Sequence, residues 1–473
     1  MAHRPWEQFR KIATAQKLPI FSLRLGSEDL VVVNSQDMAD RIFVRHALGS
    51  ASRGVSMNMR NTSSDDVPPP LGSSPWNSRT QAKRTVVSTL LGKSNMSRFD
   101  ELIAGEVSRA VSAFTSSKNR CIDPFDTLKL FSLNMSVGVS WGLTLDPDAG
   151  DAALIREMID VEGYIEHARY PLSLLDMLPL ARYWVPLLPS HARKAAEMRG
   201  WMQRRAAYLA TLSERLEACR RDGLLYPCAH EYMESSENVR LHLAAAESNS
   251  VLVSLLSAGL DAITWSVYWL LLYLAQNLTL QEELVQAMRD AHYDPRHNAG
   301  GDAVPPLVDS VVRESLRFFT VNRLSIPRVA YQDIHLGSVY IPKGTTILMN
   351  SWSINRDPSL WRNANEFDSR RFLPETRSHY AFGAGRRSCP GQHIAHKQLC
   401  ALVAALADRF ELRLPADMEL DPVSAVVDPW ALASTPKRTE IQFTRRTKTA
   451  PADVPVGVAS ASYQAPLMTA SVS

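Results

Sequence analysis

The chain has 473 residues, of which 45% are hydrophobic and 21% charged, and its formal net charge at pH 7 is +3. The hydrophobic share is large enough for a folded core, which excludes a chain that is disordered throughout. The basic residues are spread rather than grouped, which argues against nucleic-acid binding. Five cysteines at scattered spacings argue against a disulfide framework and indicate a reducing compartment.

The N-terminal segment contains no apolar run, because residues 1–8 read MAHRPWEQ. We therefore expect neither a signal peptide nor a membrane anchor at this end. An amphipathic helix follows, and then alternating apolar residues predict strands within about residues 18–35. The Ser-, Asp- and Pro-rich stretch at 60–75 is typical of a loop inside one domain, so residues 1–446 are expected to form a single domain.

The most apolar stretch of the chain runs from Val251 to Ala275 and is long enough to cross a membrane. Asp261 lies near its middle, and an acid there costs about 2.5–3.5 kcal/mol on insertion into a bilayer. A helix that is apolar on all sides is otherwise typical of a protein core. We therefore expect a buried core helix in which the acid has a function.

A shorter helix of about fourteen residues is predicted from the Pro305-Pro306 pair onward, because proline is favoured in the first turn and apolar residues follow at helical spacing. Glu314 and Arg317 are three residues apart and so lie on one face, where they can pair. A second β-rich segment is expected at about 326–350. The Ala-, Ser- and Pro-rich tail at 447–473 is expected to be disordered.

The most informative motif is the decapeptide FGAGRRSCPG at 382–391, which places one cysteine directly before a predicted helix from Gln392 to Phe410. The N-terminus of a helix stabilises a thiolate through its unpaired N–H groups and its positive dipole end. Gly385 and Gly391 allow close approach to a flat macrocycle, and Phe382 can shield the sulfur from water. Cys389 is therefore interpreted as a haem ligand, with Arg387 able to reach a haem propionate.

Two other interpretations of Cys389 remain open at this stage. Cysteine is often buried without a function, and a glycine-rich turn would accommodate it. A zinc site is also conceivable, because His393 and His396 lie one and two helical turns further on. Structural zinc sites usually contain Cys-x-x-Cys pairs, however, and the five cysteines form none.

Together these motifs resemble those of the haem-thiolate monooxygenases, the cytochrome P450 superfamily, over nearly the whole chain from Trp6 to Phe443. The E-x-x-R motif of that family is matched by Glu314 and Arg317, and its cysteine loop is matched by residues 382–391. Arg371 matches the second arginine of the family's Glu-Arg-Arg triad, whose role there is structural. The resemblance implies a mainly α fold, with a large helical domain and a small β-rich domain around one haem b.

Within the superfamily, three segments resemble fungal phenylacetate hydroxylases, namely SPW at 74–76, RFFTV at 317–321 and IPR at 326–328. The resemblance implies that Arg328 binds one haem propionate and that Trp76, with Lys83 or Arg84, binds the other. Guanidinium groups suit carboxylates because they donate two parallel hydrogen bonds. The alternative for Lys83 and Arg84 is a solvated helix face.

The central helix departs from the family pattern at AGLDAIT, residues 258–264. Asp261 keeps the acid and Gly259 keeps a groove for dioxygen, but the threonine that usually follows the acid is replaced by Ala262. That threonine normally helps to deliver protons, a contribution of about 10²- to 10⁴-fold in rate. Thr264 lies about 200° further round the helix, so it cannot simply take over. The expected catalytic residues are nevertheless the four of this turn, Asp261, Gly259, Ala262 and Thr264. We expect that a substrate hydroxyl or amide or an ordered water supplies the protons, or that the reaction tolerates poor coupling between the consumption of reductant and the formation of product.

The resemblance implies oxidation of a small lipophilic, aromatic molecule. The loss of the threonine at position 262 favours a role in secondary-metabolite biosynthesis, by hydroxylation, ring closure or aryl coupling. Electrons are expected from a separate NADPH-cytochrome P450 reductase that docks near Arg386, Arg387 and Lys397. The pocket is expected to involve Tyr170–Leu175 and Thr320–Ser325, in which Asn322 and Arg323 are either ligands of a polar or carboxylate group or turn residues. A peroxide-using or isomerising haem-thiolate enzyme and a non-catalytic haem-binding protein remain alternatives.

The expected location is the cytoplasm or the cytosolic face of the endoplasmic reticulum. Peripheral membrane contact would be made through apolar segments such as Leu174–Leu188.

Overall fold

The computed structural model describes residues 4–446 except for 27, 55–67, 117–120, 170–188, 224, 236–242, 299–303, 375–376, 416–420, 422–424 and 429–430. The expected tail at 447–473 and the apolar segments Tyr170–Leu175 and Leu174–Leu188 lie outside the described residues. Within them the chain is mainly helical, with three small sheets.

The helices of the described residues include two of more than thirty residues, Pro189–Arg221 and Ala245–Gln276, and several of a single turn. A π-helical segment, Asp40–Arg45, directly follows the helix Gln36–Ala39. The α-helices are α1 Pro5–Gln16, α2 Gln36–Ala39, α3 Ser78–Leu90, α4 Asp100–Ser116, α5 Phe125–Trp141, α6 Ala152–Arg169, α7 Pro189–Arg221, α8 Ala229–Glu234, α9 Ala245–Gln276, α10 Leu278–Asp290, α11 Pro295–Asn298, α12 Pro306–Phe319, α13 Ser351–Ile354 and α14 Gln392–Arg409.

The strands form a mixed sheet of order β1-β2-β7-β4, a sheet of order β3-β9-β8 and a hairpin of β5 and β6. In the mixed sheet β2 runs antiparallel to β1 and parallel to β7, with Val32 opposite Leu348. The strands are β1 Ile20–Leu25, β2 Glu28–Val33, β3 Cys121–Ile122, β4 Arg328–Val329, β5 Ile334–Leu336, β6 Val339–Ile341, β7 Thr346–Met349, β8 Phe410–Arg413 and β9 Ile441–Arg445.

The core is built around α9, which packs along α5 over much of its length. By length and hydropathy α9 could cross a membrane, but it lies inside the fold and its C-terminal half, including Trp269 and Leu272, is buried. Gly138 of α5 allows the neighbouring α4 to approach, because a Cβ there would lie 2.5 Å from the Leu102 side chain. The expectation of a buried core helix is confirmed.

Most predicted elements agree with the structure. The helix predicted from the Pro305-Pro306 pair is α12, the helix after Cys389 is α14, and both predicted β-rich segments contain strands. The sheet of β3, β8 and β9 was not predicted. Its strands come from distant parts of the chain, and β3 has only two residues, so no local pattern marks it.

A buried charge cluster fixes α12 against the segment that precedes the cysteine loop. Glu314 accepts two hydrogen bonds of 2.7 Å from Arg317 and two of 3.1 Å from Arg371. Arg317 also donates to the carbonyl groups of Asn355 and Ala364, at 2.6 and 2.9 Å. The predicted pairing of these three residues is confirmed, and it ties three separate segments together.

Candidate active site

The cysteine loop is held in a fixed turn before α14. The Cys389 N–H donates to the Phe382 carbonyl at 2.8 Å, and Gly391 stands directly before the first residue of α14. Gly385 has a φ of 61°, and a Cβ there would lie 1.6 Å from the carbonyl oxygen of Phe43. Only glycine fits at position 385, so the close approach of the loop to the π-helical segment depends on that residue.

The Cys389 sulfur has a mixed electrostatic environment. Burial raises the pKa of its thiol, while the Gly391 N–H and the charge of Arg84 act in the opposite direction. Arg84 also donates to the Ser388 carbonyl at 2.6 Å, which holds its positive charge beside the loop. The N–H group at Gly391 and the cation on Arg84 of α3 are the groups that a thiolate ligand requires.

Cys389 faces a cavity of about 340 Å³ that is bounded on the opposite side by α9. Gly259 and Ala262 of α9 line the cavity, and Phe382 of the cysteine loop lines it as well. A Cβ on Gly259 would lie 2.6 Å from the Ser136 hydroxyl, so this glycine also allows α5 and α9 to approach. The structure therefore brings together eight of the predicted site residues, namely Cys389, Gly259, Ala262, Phe382, Gly391, Arg84, Arg328 and Arg387.

Four arginines line the same cavity close to the cysteine loop. Arg328 donates to the Ala384 carbonyl at 2.6 Å, and Arg387 donates to the carbonyl groups of Ala51, Leu71 and Ser74. The remaining two are Arg84, described above, and Arg53, which contacts the carbonyl groups of Ile326 and Pro327. Arg53 was not predicted, because no motif marks it in the sequence.

The arginine group fits the two carboxylates of haem b. Burial, together with repulsion from Arg53, lowers the pKa of both Arg328 and Arg387. Arg328 Nη1 is buried and has no hydrogen-bond partner among the described residues. Clustered cations of this kind call for anionic partners. A macrocycle with two propionates and an iron facing Cys389 would supply them, so the residues present fit the group.

Two of the residues expected at the propionates do not line the cavity. Trp76 is buried, and the Arg387 guanidinium lies over it, 5.1 Å from the centre of the Trp76 ring. Trp76 does not line the cavity. Lys83 is also buried away from the cavity, where its ammonium lies 2.7 Å from Glu247 and 3.0 Å from the Ser250 hydroxyl. Lys83 therefore lies neither at the predicted propionate site nor on a solvated helix face. Its buried ion pair with Glu247 joins α3 to α9.

Lys83→Met is expected to lower the free energy of unfolding by about 1–3 kcal/mol, because it leaves the Glu247 carboxylate buried without its nearest cation. Urea denaturation of the variant measures the loss. Haem affinity is expected to stay within about twofold of the parent, since Lys83 does not line the cavity. A large loss of haem affinity at unchanged stability would restore Lys83 to the propionate site.

Thr264 does not face the cavity, although it was expected among the catalytic residues. Its hydroxyl donates to the Leu260 carbonyl at 2.6 Å and also pairs with the Ser132 hydroxyl at 2.9 Å, and the side chain is fully buried. Ser266 lies one turn further along α9, on the same helix face as Ala262, and also lines the cavity. It supplies the hydroxyl on that face. Ser266 donates to the Ala262 carbonyl at 2.6 Å. The period of the helix could have identified Ser266 from the sequence.

Asp261 is held beside the cavity by an ion pair with Lys129 of α5. Burial acts to raise the pKa of Asp261, but a hydrogen bond with Glu166 and the charge of Lys129 outweigh it, so the pKa is lowered. Glu166 of α6 lines the cavity, whereas Asp261 does not. Asp261 is therefore linked to the cavity by its hydrogen bond with Glu166, a residue that the sequence did not indicate.

The alternative zinc site at Cys389 does not form among the described residues. The one group of three possible metal ligands found there contains His396, Asp309 and Cys400, and it excludes both Cys389 and His393. His396 lies 3.2 Å from an Asp309 oxygen, which accounts for its position without a metal. This arrangement favours the interpretation of Cys389 as a haem ligand.

Other predicted contacts are divided between the cavity and the core. Asn322 lines the cavity, but Arg323 is buried against the Trp6 ring, 4.7 Å from its centre. Of the expected reductase contacts, Arg386 is exposed, whereas Arg387 and Lys397 are buried. Lys397 lies 2.6 Å from an Asp100 oxygen. These two residues therefore belong to the fold rather than to a docking surface.

A cysteine at a helix N-terminus, facing a cavity with a group of arginines at its edge, defines a haem-thiolate protein. The chain belongs to the cytochrome P450 family, whose family model matches residues 2–443. It is a cytochrome P450 monooxygenase, and the family implies a haem cofactor and a small-molecule substrate.

Several curated relatives match most of the chain. It is 28% identical to cytochrome P450 monooxygenase CYP3 of Mycosarcoma maydis, over 93% of this chain and 83% of the relative. It is 26% identical to 3-hydroxyphenylacetate 6-hydroxylase of Emericella nidulans, over 90% of this chain and 82% of the relative. Phenylacetate 2-hydroxylase of the same organism is also 26% identical, over 90% of this chain and 84% of the relative.

Solved structures confirm the fold. A zebra fish cytochrome P450 in complex with abiraterone superposes with a TM-score of 0.73 at 18% identity, covering 94% of this chain and 100% of that one. The expected mainly α architecture with a small β-rich part is confirmed.

Proposed function

We propose that this monooxygenase oxidises a small lipophilic aromatic molecule in secondary-metabolite biosynthesis, by hydroxylation, ring closure or aryl coupling. The observation that carries the proposal is the largely apolar cavity between Cys389 and the Gly259–Ala262 turn of α9. The fungal relatives named as phenylacetate hydroxylases support an aromatic substrate. Haem b with a thiolate ligand, when bound, supplies the activation of dioxygen.

The residues of this chain would bind and orient both partners of the reaction. Cys389 would ligate the iron, while Arg53, Arg84, Arg328 and Arg387 would hold the propionates. Gly259 and Ala262 leave open space on α9 above the cofactor site, and Phe382 keeps water from the sulfur. The missing hydroxyl at 262 favours reactions in which the substrate itself supplies a hydrogen-bond donor near the reacting centre.

Ala262→Thr is expected to raise the fraction of reducing equivalents that end in product rather than in hydrogen peroxide, because it restores a hydroxyl facing the cavity on α9. NADPH consumption, peroxide release and product formation, measured together, give this fraction. Thr264→Val is the matched control, because its hydroxyl faces Ser132 and it should leave the fraction unchanged. Unchanged or lower coupling in Ala262→Thr would show that the site does not lack this donor.

Electrons are proposed to come from a separate NADPH-cytochrome P450 reductase that approaches the exposed Arg386 on the cysteine-loop side. The proposed location is the cytoplasm or the cytosolic face of the endoplasmic reticulum. Neither proposal requires a membrane-spanning helix, and the apolar helix α9 lies in the core.

The decisive experiment combines the absorption spectrum of the reduced carbon monoxide complex with turnover of a panel of aromatic compounds in the presence of a reductase. A thiolate-type spectrum and reductase-dependent product support the proposal. Product formed with peroxide but not with reductase favours the peroxide-using alternative. A thiolate spectrum without turnover under either condition favours a haem-binding protein without catalysis.

A further inference from the structure

The described lining of the active-site cavity contains two buried side-chain oxygens that accept no hydrogen bond from any described residue. They are Asn322 Oδ1 and Gln398 Oε1. Gln398 lies on α14, the helix that begins at the cysteine loop, whereas Asn322 lies in the segment between α12 and β4. A buried acceptor without a donor is destabilising, so each of these oxygens calls for a partner from outside the described chain.

The backbone around Asn322 is held in place on both sides. Thr320 ends α12 with a φ of 44°, a left-handed conformation that turns the chain out of the helix. Its buried hydroxyl donates to the Arg317 carbonyl at 2.5 Å and accepts from the Asn355 amide at 3.0 Å. On the other side, the Ser325 N–H donates to the Asn322 carbonyl at 3.2 Å. The Asn322 side chain therefore leaves from a fixed turn.

Two hydrogen bonds tie this segment to the central helix. The Ser434 N–H donates to the Val321 carbonyl at 2.8 Å, and Trp269 of α9 donates through Nε1 to the Ser434 carbonyl at 2.8 Å. Ala262 lies about two turns before Trp269 on the same helix. Since α9 bounds the cavity opposite Cys389, Asn322 belongs to the substrate side of the cavity.

Several other polar side chains of the lining already have partners within the protein. Glu162 is paired with Arg205 and also accepts a hydrogen bond from Tyr208. The serine hydroxyls of the lining that bond to other protein groups are those of Ser132, Ser254, Ser257, Ser266 and Ser325. Asn322 Oδ1 differs from these groups because its hydrogen-bonding capacity remains for a ligand.

The charges of the lining disfavour a carboxylate beside Asn322. The positively charged residues in the described lining are the four arginines grouped at the cysteine loop, where they are placed for the propionates. Arg323, the next residue after Asn322, is buried against Trp6 and does not line the cavity. A carboxylate at Asn322 would therefore lose water without gaining a cation.

A phenol hydroxyl meets both requirements of this position. It donates one hydrogen bond, which an amide oxygen accepts. With a pKa of about 10 it is neutral at pH 7, so its binding buries no charge. An alkylamine is protonated at that pH and would bring a charge into the apolar surroundings formed by Val321, Leu432 and Ala433.

We propose that the substrate is a phenol whose hydroxyl donates to Asn322 Oδ1, and that Asn322 thereby determines specificity for a neutral aromatic donor. This inference rests on the proposed function and specifies its substrate class. The two relatives of Emericella nidulans are named for phenylacetate and 3-hydroxyphenylacetate, both of which carry a carboxylate. The proposed substrate has no carboxylate at this position.

The test compares two isomers, 4-ethylphenol and 4-methylanisole, which have the same composition and a similar shape. The phenol has a hydroxyl that donates, and the ether has an oxygen that only accepts. Equilibrium binding to the haem-loaded enzyme is measured at pH 7 by calorimetry, with phenylacetate as the anionic ligand. The phenol is expected to bind about tenfold more tightly than the ether, which leaves Asn322 Oδ1 without a donor, and phenylacetate is expected to bind least tightly.

Asn322→Leu keeps the size of the side chain and removes the amide. It is expected to reduce the preference for the phenol over the ether to about twofold or less. Ser325→Ala is the matched control, because Ser325 belongs to the same segment and lines the cavity but pairs with the Ser351 hydroxyl. That variant is expected to keep the full preference. Asn322→Asp provides an acceptor oxygen again and is expected to keep the preference as well.

The inference is overturned if neither isomer binds, if the ether or phenylacetate binds as tightly as the phenol, or if Asn322→Leu keeps the preference of Ser325→Ala. Loss of the preference in Asn322→Asp would show that Asn322 does not act as an acceptor. The reduced carbon monoxide spectrum is recorded first for each protein. A missing thiolate-type spectrum in the parent enzyme contradicts the proposed function itself. An overturning result in protein with a normal spectrum contradicts only the substrate class.

Discussion

Cys389→Ala is expected to abolish the thiolate-type spectrum of the reduced carbon monoxide complex and all reductase-supported turnover. The variant removes the one cysteine in the described lining of the cavity, while Arg328 and its neighbours remain. Haem is therefore expected to bind weakly, through its propionates, or to be lost during purification. The spectrum and the haem content per mole of protein measure both effects.

Cys400→Ala is the matched control for this prediction. Cys400 lies on α14, is almost fully buried and contacts His396 rather than the cavity. Its replacement is expected to leave the spectrum unchanged, because it removes a buried sulfur without touching the cofactor site. A normal thiolate spectrum in Cys389→Ala would contradict both the ligand assignment and the function proposed from it.

The local parts of the site could be predicted from the sequence because each depends on a short pattern. The cysteine loop is ten consecutive residues, and the position of Cys389 before α14 follows from helix-start signals. Glu314 and Arg317 are one turn apart on α12, so helical periodicity placed them together. The same periodicity placed Thr264 away from Ala262, although only the structure shows that it bonds to Ser132.

The long-range parts of the site could not be predicted, because they depend on which helices pack together. Lys83 and Arg84 are adjacent, yet one pairs with Glu247 and the other lines the cavity. Helical neighbours point about 100° apart, and the sequence does not show what lies on each side. Arg53 and Glu166 lie in segments without a motif, so only the tertiary fold brings them to the cavity.

Glu314→Gln is expected to lower the free energy of unfolding by about 3–5 kcal/mol, because it leaves two buried guanidinium groups facing a neutral side chain. Glu314 and Arg317 are fully buried, and the Arg371 side chain is only 7% exposed, so water cannot replace the lost charge. The midpoint of urea denaturation at a fixed haem loading measures the loss. Haem is expected to dissociate together with unfolding, since the triad ties α12 to the segment before the cysteine loop.

Glu283→Gln is the control that separates burial from charge. Glu283 pairs with Arg370 at 3.0 Å, next to Arg371 in the chain, but both partners of that pair are exposed. Exposed ion pairs contribute about 0–1 kcal/mol, so this variant is expected to be nearly as stable as the parent. Equal midpoints for the two variants would mean that the buried charge of Glu314 does not stabilise the fold more than an exposed one. A large difference would show that the charge of Glu314 stabilises the fold because it is buried with its two arginines.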